Sequence, residues 1–138
     1  MNNKKLKVMA FYPPSKLYQR GEDRSQGNIE DSSATSMRAP NDLAYASAGL
    51  KEKNFEVHIK DYQSEGLSNL DLENDFKNFD PDAIFVSITN ATIYNDLEII
   101  NRLVEEKKST IIILKGALFF NPDDLMLNLL PLDNIDYL

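Results

Sequence analysis

Asp80-Pro81-Asp82-Ala83-Ile84-Phe85-Val86-Ser87-Ile88-Thr89-Asn90-Ala91-Thr92-Ile93-Tyr94-Asn95 is the stretch whose reading decides the fold. Ala83–Val86 is apolar without alternation, the pattern of a strand covered on both faces. Ser87 and Thr89 then break the apolar run at a period of two, so both side chains point to one side. A turn follows, and then a helix. Small polar side chains where a central strand gives way to a helix are what a ligand site of an α/β fold requires.

Working outward, Leu6–Tyr12 predicts a first strand, stopped by Pro13-Pro14 because neither proline can donate to a ladder. Residues 15–39 form a long polar segment with Gly21, Gly27 and three arginines (Arg20, Arg24, Arg38). Loops of this length are uncommon in compact domains and are usually functional or disordered, so a mobile surface loop and a flap over a ligand or partner domain are the two readings. Pro40-Asn41-Asp42 opens a helix to about Lys53, with Leu43, Ala46 and Leu50 on its inner face and acidic Asp42 suited to its N-terminal end. Asn54 is the expected stop. Phe55–Lys60 alternates apolar with polar and predicts a half-exposed strand, with His58 on the solvated face. Asp61–Gly66 follows as a loop. Ser68 caps a helix with Asp71 three residues on, and Leu72, Phe76 and Phe79 are its apolar stripe, ended by Pro81.

Beyond the central strand, Ile93, Leu97, Ile100 and Val104 predict a helix running to about Lys107, with Ile99 and Leu103 widening the stripe. Thr110–Leu114 is a second continuous buried strand, and Lys115-Gly116-Ala117 turns away from its end. Asn121 as cap, Pro122 at the first helical position and Asp123-Asp124 in the first turn predict a last helix carrying Leu125, Met126, Leu129 and Leu130. Ile135–Leu138 predicts a fifth strand. Five strands alternating with four helices imply an α/β, doubly wound, parallel sheet of flavodoxin-like (Rossmann-like) type, order 2-1-3-4-5. Its switch point lies between the first and third strands, so the loops after Tyr12 and Ser87 open the crevice and the Gly116 loop adjoins it.

Composition narrows the function. At 138 residues the chain is long enough for one domain with one core. Fifteen basic against 22 acidic residues give a net charge of −7, which repels phosphate backbones; nucleic acid is not an expected partner. No stretch approaches the ~18 apolar residues of a membrane span, and Met1–Lys5 lacks the features of a signal peptide, so no membrane is expected and the cytoplasm is the expected compartment. The sequence contains no cysteine and one histidine, His58. That removes thiolate metal sites, cysteine nucleophiles and iron–sulfur ligation from this chain. No Gly-x-Gly-x-x-Gly follows the first strand and no Gly-x4-Gly-Lys-Ser/Thr is present. A phosphoreceiver would need acids where Tyr12-Pro13-Pro14 stands. An FMN site would need a tight Ser/Thr/Gly loop there, and Ser32, Ser33 and Ser36 lie too far along the chain.

The rim residues taken together resemble the N-terminal cobalamin (vitamin B12)-binding domain of cobalamin-dependent radical S-adenosylmethionine enzymes. The pieces, in order, are Val8–Pro14 with its Tyr-Pro-Pro ending, Arg38–Tyr45 at the first helix start, and Glu56–Asp61 as the second strand. Then come Ser87-Ile88-Thr89, Leu114–Ala117 with Lys115 in place of a first glycine, and Asp133–Tyr137. No single piece is specific; their order is more so, and the resemblance covers nearly the whole chain.

The resemblance implies a slot beside the central strand that buries the nucleotide tail of base-off cobalamin. Tyr12, Pro13, Ser87, Thr89, Gly116 and Ala117 would line it, Gly116 by admitting backbone close to the tail. Methionine-synthase-like relatives of the fold carry Asp-x-His-x-x-Gly, whose histidine binds cobalt. Here Asp61-Tyr62-Gln63-Ser64-Glu65-Gly66 keeps the frame and replaces histidine by Gln63. The implied state is therefore base-off and His-off, with Asp61, Gln63 and Gly66 under the cofactor and no protein metal ligand. The family's 4Fe–4S cluster and S-adenosylmethionine need a Cys-x3-Cys-x2-Cys motif that this chain lacks. The chain is thus expected to be a domain, residues 1–138, of a longer enzyme, partnered by a C-terminal radical S-adenosylmethionine domain and inactive alone; methyl transfer or a related radical reaction is the implied activity. The alternative is a flavodoxin-like docking module that has lost cofactor binding, with the long 13–39 loop and Lys115 crowding the slot, or a binder of another ligand such as FMN.

Overall fold

The computed structural model describes residues 4–16, 39–120 and 122–138. Strand β1 (Lys7–Tyr12), helix α1 (Asn41–Glu52), β2 (Glu56–Asp61), α2 (Asn69–Phe79), β3 (Ala83–Ser87), α3 (Ile93–Glu106), β4 (Ile111–Lys115) and a short α4 (Asp124–Leu127) follow in chain order. The four strands form one parallel sheet in the order β2-β1-β3-β4, which places the two inner strands at its centre. The architecture is α/β and compatible with a flavodoxin-like fold.

Register explains the core. Met9 pairs with Ile84 and Phe11 with Val86, while Ile84 and Val86 pair with Ile112 and Leu114. Because side chains alternate across a strand, these residues share one face. They form one cluster with Leu72 and Phe76 of α2 and Leu97, Ile100 and Leu103 of α3. The stripe read from Ile93 to Val104 is buried throughout. Covering of this kind removes apolar area at roughly 25 cal/mol per Å2. The opposite face carries Ala10, Phe85, Ser87, Ile113 and Lys115. There α1 packs on β2 and β1 through buried Leu43, and β3 and β4 are covered incompletely: Phe85 and Ile113 are half-buried and Ile111 is exposed.

Local signals hold at the helix ends. Ser68 and Asp71 form the capping box. Asn54 ends α1 in the left-handed region at φ 67°, and Asp80 ends α2 likewise at φ 53°, just before Pro81.

Four expectations are corrected. The fifth strand does not form. Ile135–Leu138 reaches β4 by a single bridge between Ile113 and Tyr137. Asp136 N and Tyr137 N both donate to Ile112 O, at 3.1 and 3.0 Å, and the Asp136 carboxylate takes Ile112 N at 2.8 Å. A side chain thus occupies a place in the ladder that an extended backbone would fill. The last helix begins later than Asn121-Pro122: Asp123 caps it, accepting from Leu125 N at 2.9 Å, and it lasts one turn. Leu125 and Leu129 are exposed rather than packed. In β2, His58 is half-buried rather than a fully solvated surface residue: its ring lies tilted against Phe79, centroids 5.4 Å apart, and its Nε2 is buried. The strand is partly covered on both faces, so alternation misassigns its outer side. Residues 17–38, with the proposed flap and Ser32, Ser33 and Ser36, lie outside the described residues, as does Asn121.

Candidate functional site

The incompletely covered half of the sheet opens into a cavity of about 700 Å3 at the carboxyl ends of β1, β3 and β4. Half-buried Phe85 and Ile113 form its apolar floor. Each strand alternates, so the next side chains on the same face, Ser87 and Lys115, rise to the rim. Tyr12 ends β1 beside them, and α1 delivers Asp42 from its first turn.

Asp42 is the hub of this rim. Its carboxylate accepts from Ser87 Oγ at 2.7 Å, from Lys115 Nζ at 2.7 Å and from Tyr12 Oη at 3.1 and 3.2 Å to its two oxygens. Burial opposes its charge, but the hydrogen bonds of Lys115 and Ser87 and the lysine's attraction outweigh it and hold the carboxyl below its usual range. Four elements distant in sequence are thereby tied at one point.

A second polar cluster joins the loop after β3 to the first turn of α3. Thr89 Oγ1 and Thr92 Oγ1 are 3.1 Å apart, and Thr92 donates to Asp96 at 2.6 Å. Asn95 Nδ2 bridges the Asp96 carboxylate and Pro14 O, at 3.2 and 3.1 Å, tying the loop after β3 to the end of β1. Asp96 is 2% exposed. Burial pushes its carboxyl up to about 7, against hydrogen bonds from Thr92, Asn95 and the Thr89 backbone.

Of the residues expected at the site, Tyr12, Ser87, Thr89, Gly116 and Ala117 line the cavity, whereas Pro13, Asp61, Gln63 and Gly66 do not. Pro13 is buried beneath the rim. Gln63, 2% exposed, donates from Nε2 to Ser15 Oγ and Lys16 O, both at 2.9 Å, and so fastens the chain leaving β1. Asp61 accepts from Ser64 N at 3.1 Å and shapes the turn, in which Gly66 takes φ 66°. Gly116 has an extended backbone; a Cβ there would lie 2.9 Å from Ile88 O. Its missing side chain serves the close approach of two strand ends.

Sequence reading missed Asp42, assigned only to a helix start, and Asp96. For Asp96 a signal existed: an acid at i+3 inside the apolar stripe Ile93, Leu97, Ile100. For Asp42 none did, since its partners lie 30 to 73 residues away. Among the described residues no group of three or more His, Cys, Asp or Glu is placed to hold a metal ion, and no helix is long and apolar enough to cross a membrane. Compared with protein-family models, curated proteins and solved structures, the chain matches none.

Proposed function

We propose that the crevice holds the nucleotide tail of base-off, His-off cobalamin, and that the chain is the cofactor-holding domain beside a radical S-adenosylmethionine domain carrying a 4Fe–4S cluster. One observation carries the reading: a cavity of about 700 Å3 at the carboxyl ends of β1, β3 and β4, with an apolar floor and a rim of hydroxyls, a carboxylate and an ammonium. Its volume is that of a small-ligand site, roughly 300–1,000 Å3. The donor set suits an amphipathic tail: a flat apolar ring for Phe85 and Ile113, a polar linker for Tyr12, Ser87 and Lys115. In the Asp-x-His-x-x-Gly frame that the resemblance implies, Gln63 takes the histidine's place, and its amide is bonded to Ser15 and Lys16. The lower face of cobalt would therefore meet no imidazole from this loop. Bound cobalamin would supply a cobalt–carbon bond for methyl or radical transfer. The chain's own residues would bind and orient it: Ser87 by its hydroxyl, Asp42 by holding Tyr12 and Ser87 in place.

Titration with hydroxocobalamin and methylcobalamin, read by visible spectrum and by co-elution, tests this. A base-off spectrum that Ser87→Phe abolishes is the expected result. Absence of co-elution at cobalamin well above the protein concentration refutes it. A second reading, a docking module without cofactor, draws on the Lys115–Asp42 ion pair across the crevice and on Ile88 beside Gly116. It expects no cobalamin binding and no effect of Ser87→Phe on partner capture.

A further inference from the structure

Among the described residues that line the cavity, Lys115 is the one cation. Its side chain is 51% exposed, against 20% for its partner Asp42, so the pair sits at the mouth with the lysine outermost. Ion pairs this exposed hold weakly, because water competes for both charges and the long stem loses freedom when pinned. Asp42 does not depend on the lysine for its hydrogen bonds: Tyr12 Oη, Ser87 Oγ and the Leu43 backbone also serve it. Lys115 can therefore leave without stranding a buried carboxylate, which is the step that makes breaking an ion pair costly. A phosphate group at the mouth gives its ammonium a more strongly hydrogen-bonding partner than a carboxylate already shared by two hydroxyls.

Spacing adds a second constraint. Ile113 on the floor and Lys115 on the rim are successive residues of one face of β4, as are Phe85 and Ser87 of β3. Successive same-face positions lie roughly 7 Å apart. That is about the reach of a ribose joining a flat ring to a phosphate.

We propose that Lys115 is the specificity-determining residue of the crevice: it swings from Asp42 onto a phosphate, so the site selects an aromatic nucleoside that carries one. The identity of that ligand as the cobalamin tail rests on the reading above.

Two probes separate the claims. One is α-ribazole, the benzimidazole nucleoside of the tail, with and without its phosphate, followed by calorimetry. The other is hydroxocobalamin, followed by its spectrum. Wild type, Lys115→Gln and Lys115→Arg are compared at low and high salt. The expected result is that the phosphorylated nucleoside binds wild type about tenfold tighter than the unphosphorylated one, the size of one charge-assisted contact. Lys115→Gln erases the difference, Lys115→Arg keeps it, and salt weakens it. Cobalamin bound equally by wild type and Lys115→Gln overturns the role of Lys115 and leaves the cobalamin reading standing. Lysine-dependent binding of the phosphorylated nucleoside without cobalamin binding does the reverse. Binding of neither probe overturns both.

Discussion

Replacing Asp96 by Asn should remove a pH dependence that the wild-type fold carries. Asp96 is 2% exposed in the first turn of α3, and its carboxyl moves from an ordinary 3.8 to about 7. At about 1.4 kcal/mol per pKa unit, the charged form is disfavoured in the fold by about 4 kcal/mol relative to the unfolded chain. For an acid whose value is raised by folding, the folded state binds more protons. The associated stability is complete below 3.8 and is lost as pH rises through about 7. Urea unfolding followed by circular dichroism, on wild type and Asp96→Asn in parallel, isolates this group, because titrations common to both proteins cancel in the difference. Between about pH 5 and pH 8 wild type should lose about 3 kcal/mol relative to the variant and then level off. A difference that stays flat across that window, or one that favours wild type as pH rises, refutes the reasoning.

Two further outcomes follow from backbone geometry. Gly116→Ala should destabilise by about 1–3 kcal/mol, because the new Cβ meets the Ile88 carbonyl at 2.9 Å and strains the closing Ile88 N to Lys115 O bond; thermal unfolding of the unliganded protein reads it, and a neutral variant would mean the two strand ends can separate freely. Asn54→Gly should be neutral or slightly stabilising while Asn54→Val costs about 1–2 kcal/mol, since φ is 67° and a β-branched residue is disfavoured there; equal midpoints in urea for the two variants would refute the assignment.

What could be read from the residues depended on the range of the interaction. The stripe from Ile93 to Val104, the Ser68–Asp71 box and the stops at Asn54 and Pro81 are local patterns, and each appears in the structure as expected; Ala83–Val86 forms its strand, but one face is only partly covered, with Ala83 and Phe85 half-buried. The parallel sheet and the crevice at the ends of the first and third strands followed from their alternation. The polar wiring did not follow. Asp42, Tyr12, Ser87 and Lys115 converge from four elements, and no spacing encodes that meeting. The Asp61–Gly66 loop resembled a cofactor loop by its frame, yet Gln63 is spent on Ser15 and Lys16 and lies off the cavity. His58 was misjudged because alternation assumes one solvated face, whereas α2 brings Phe79 against it. The fifth strand failed because Asp136 competes, through its side chain, for the donor that a strand would have used.

That same segment has a consequence for how molecules of this chain meet. A parallel sheet ends in a margin whose outward amides can recruit a strand from another molecule, the first step of edge-to-edge aggregation. On β4 the outward amide of Ile112 is taken by the Asp136 carboxylate and that of Leu114 by Tyr137 O at 2.9 Å. An arriving strand finds no donor at either position. Residues 136 and 137, by stopping short of a strand of their own, act as a chain terminator for the sheet.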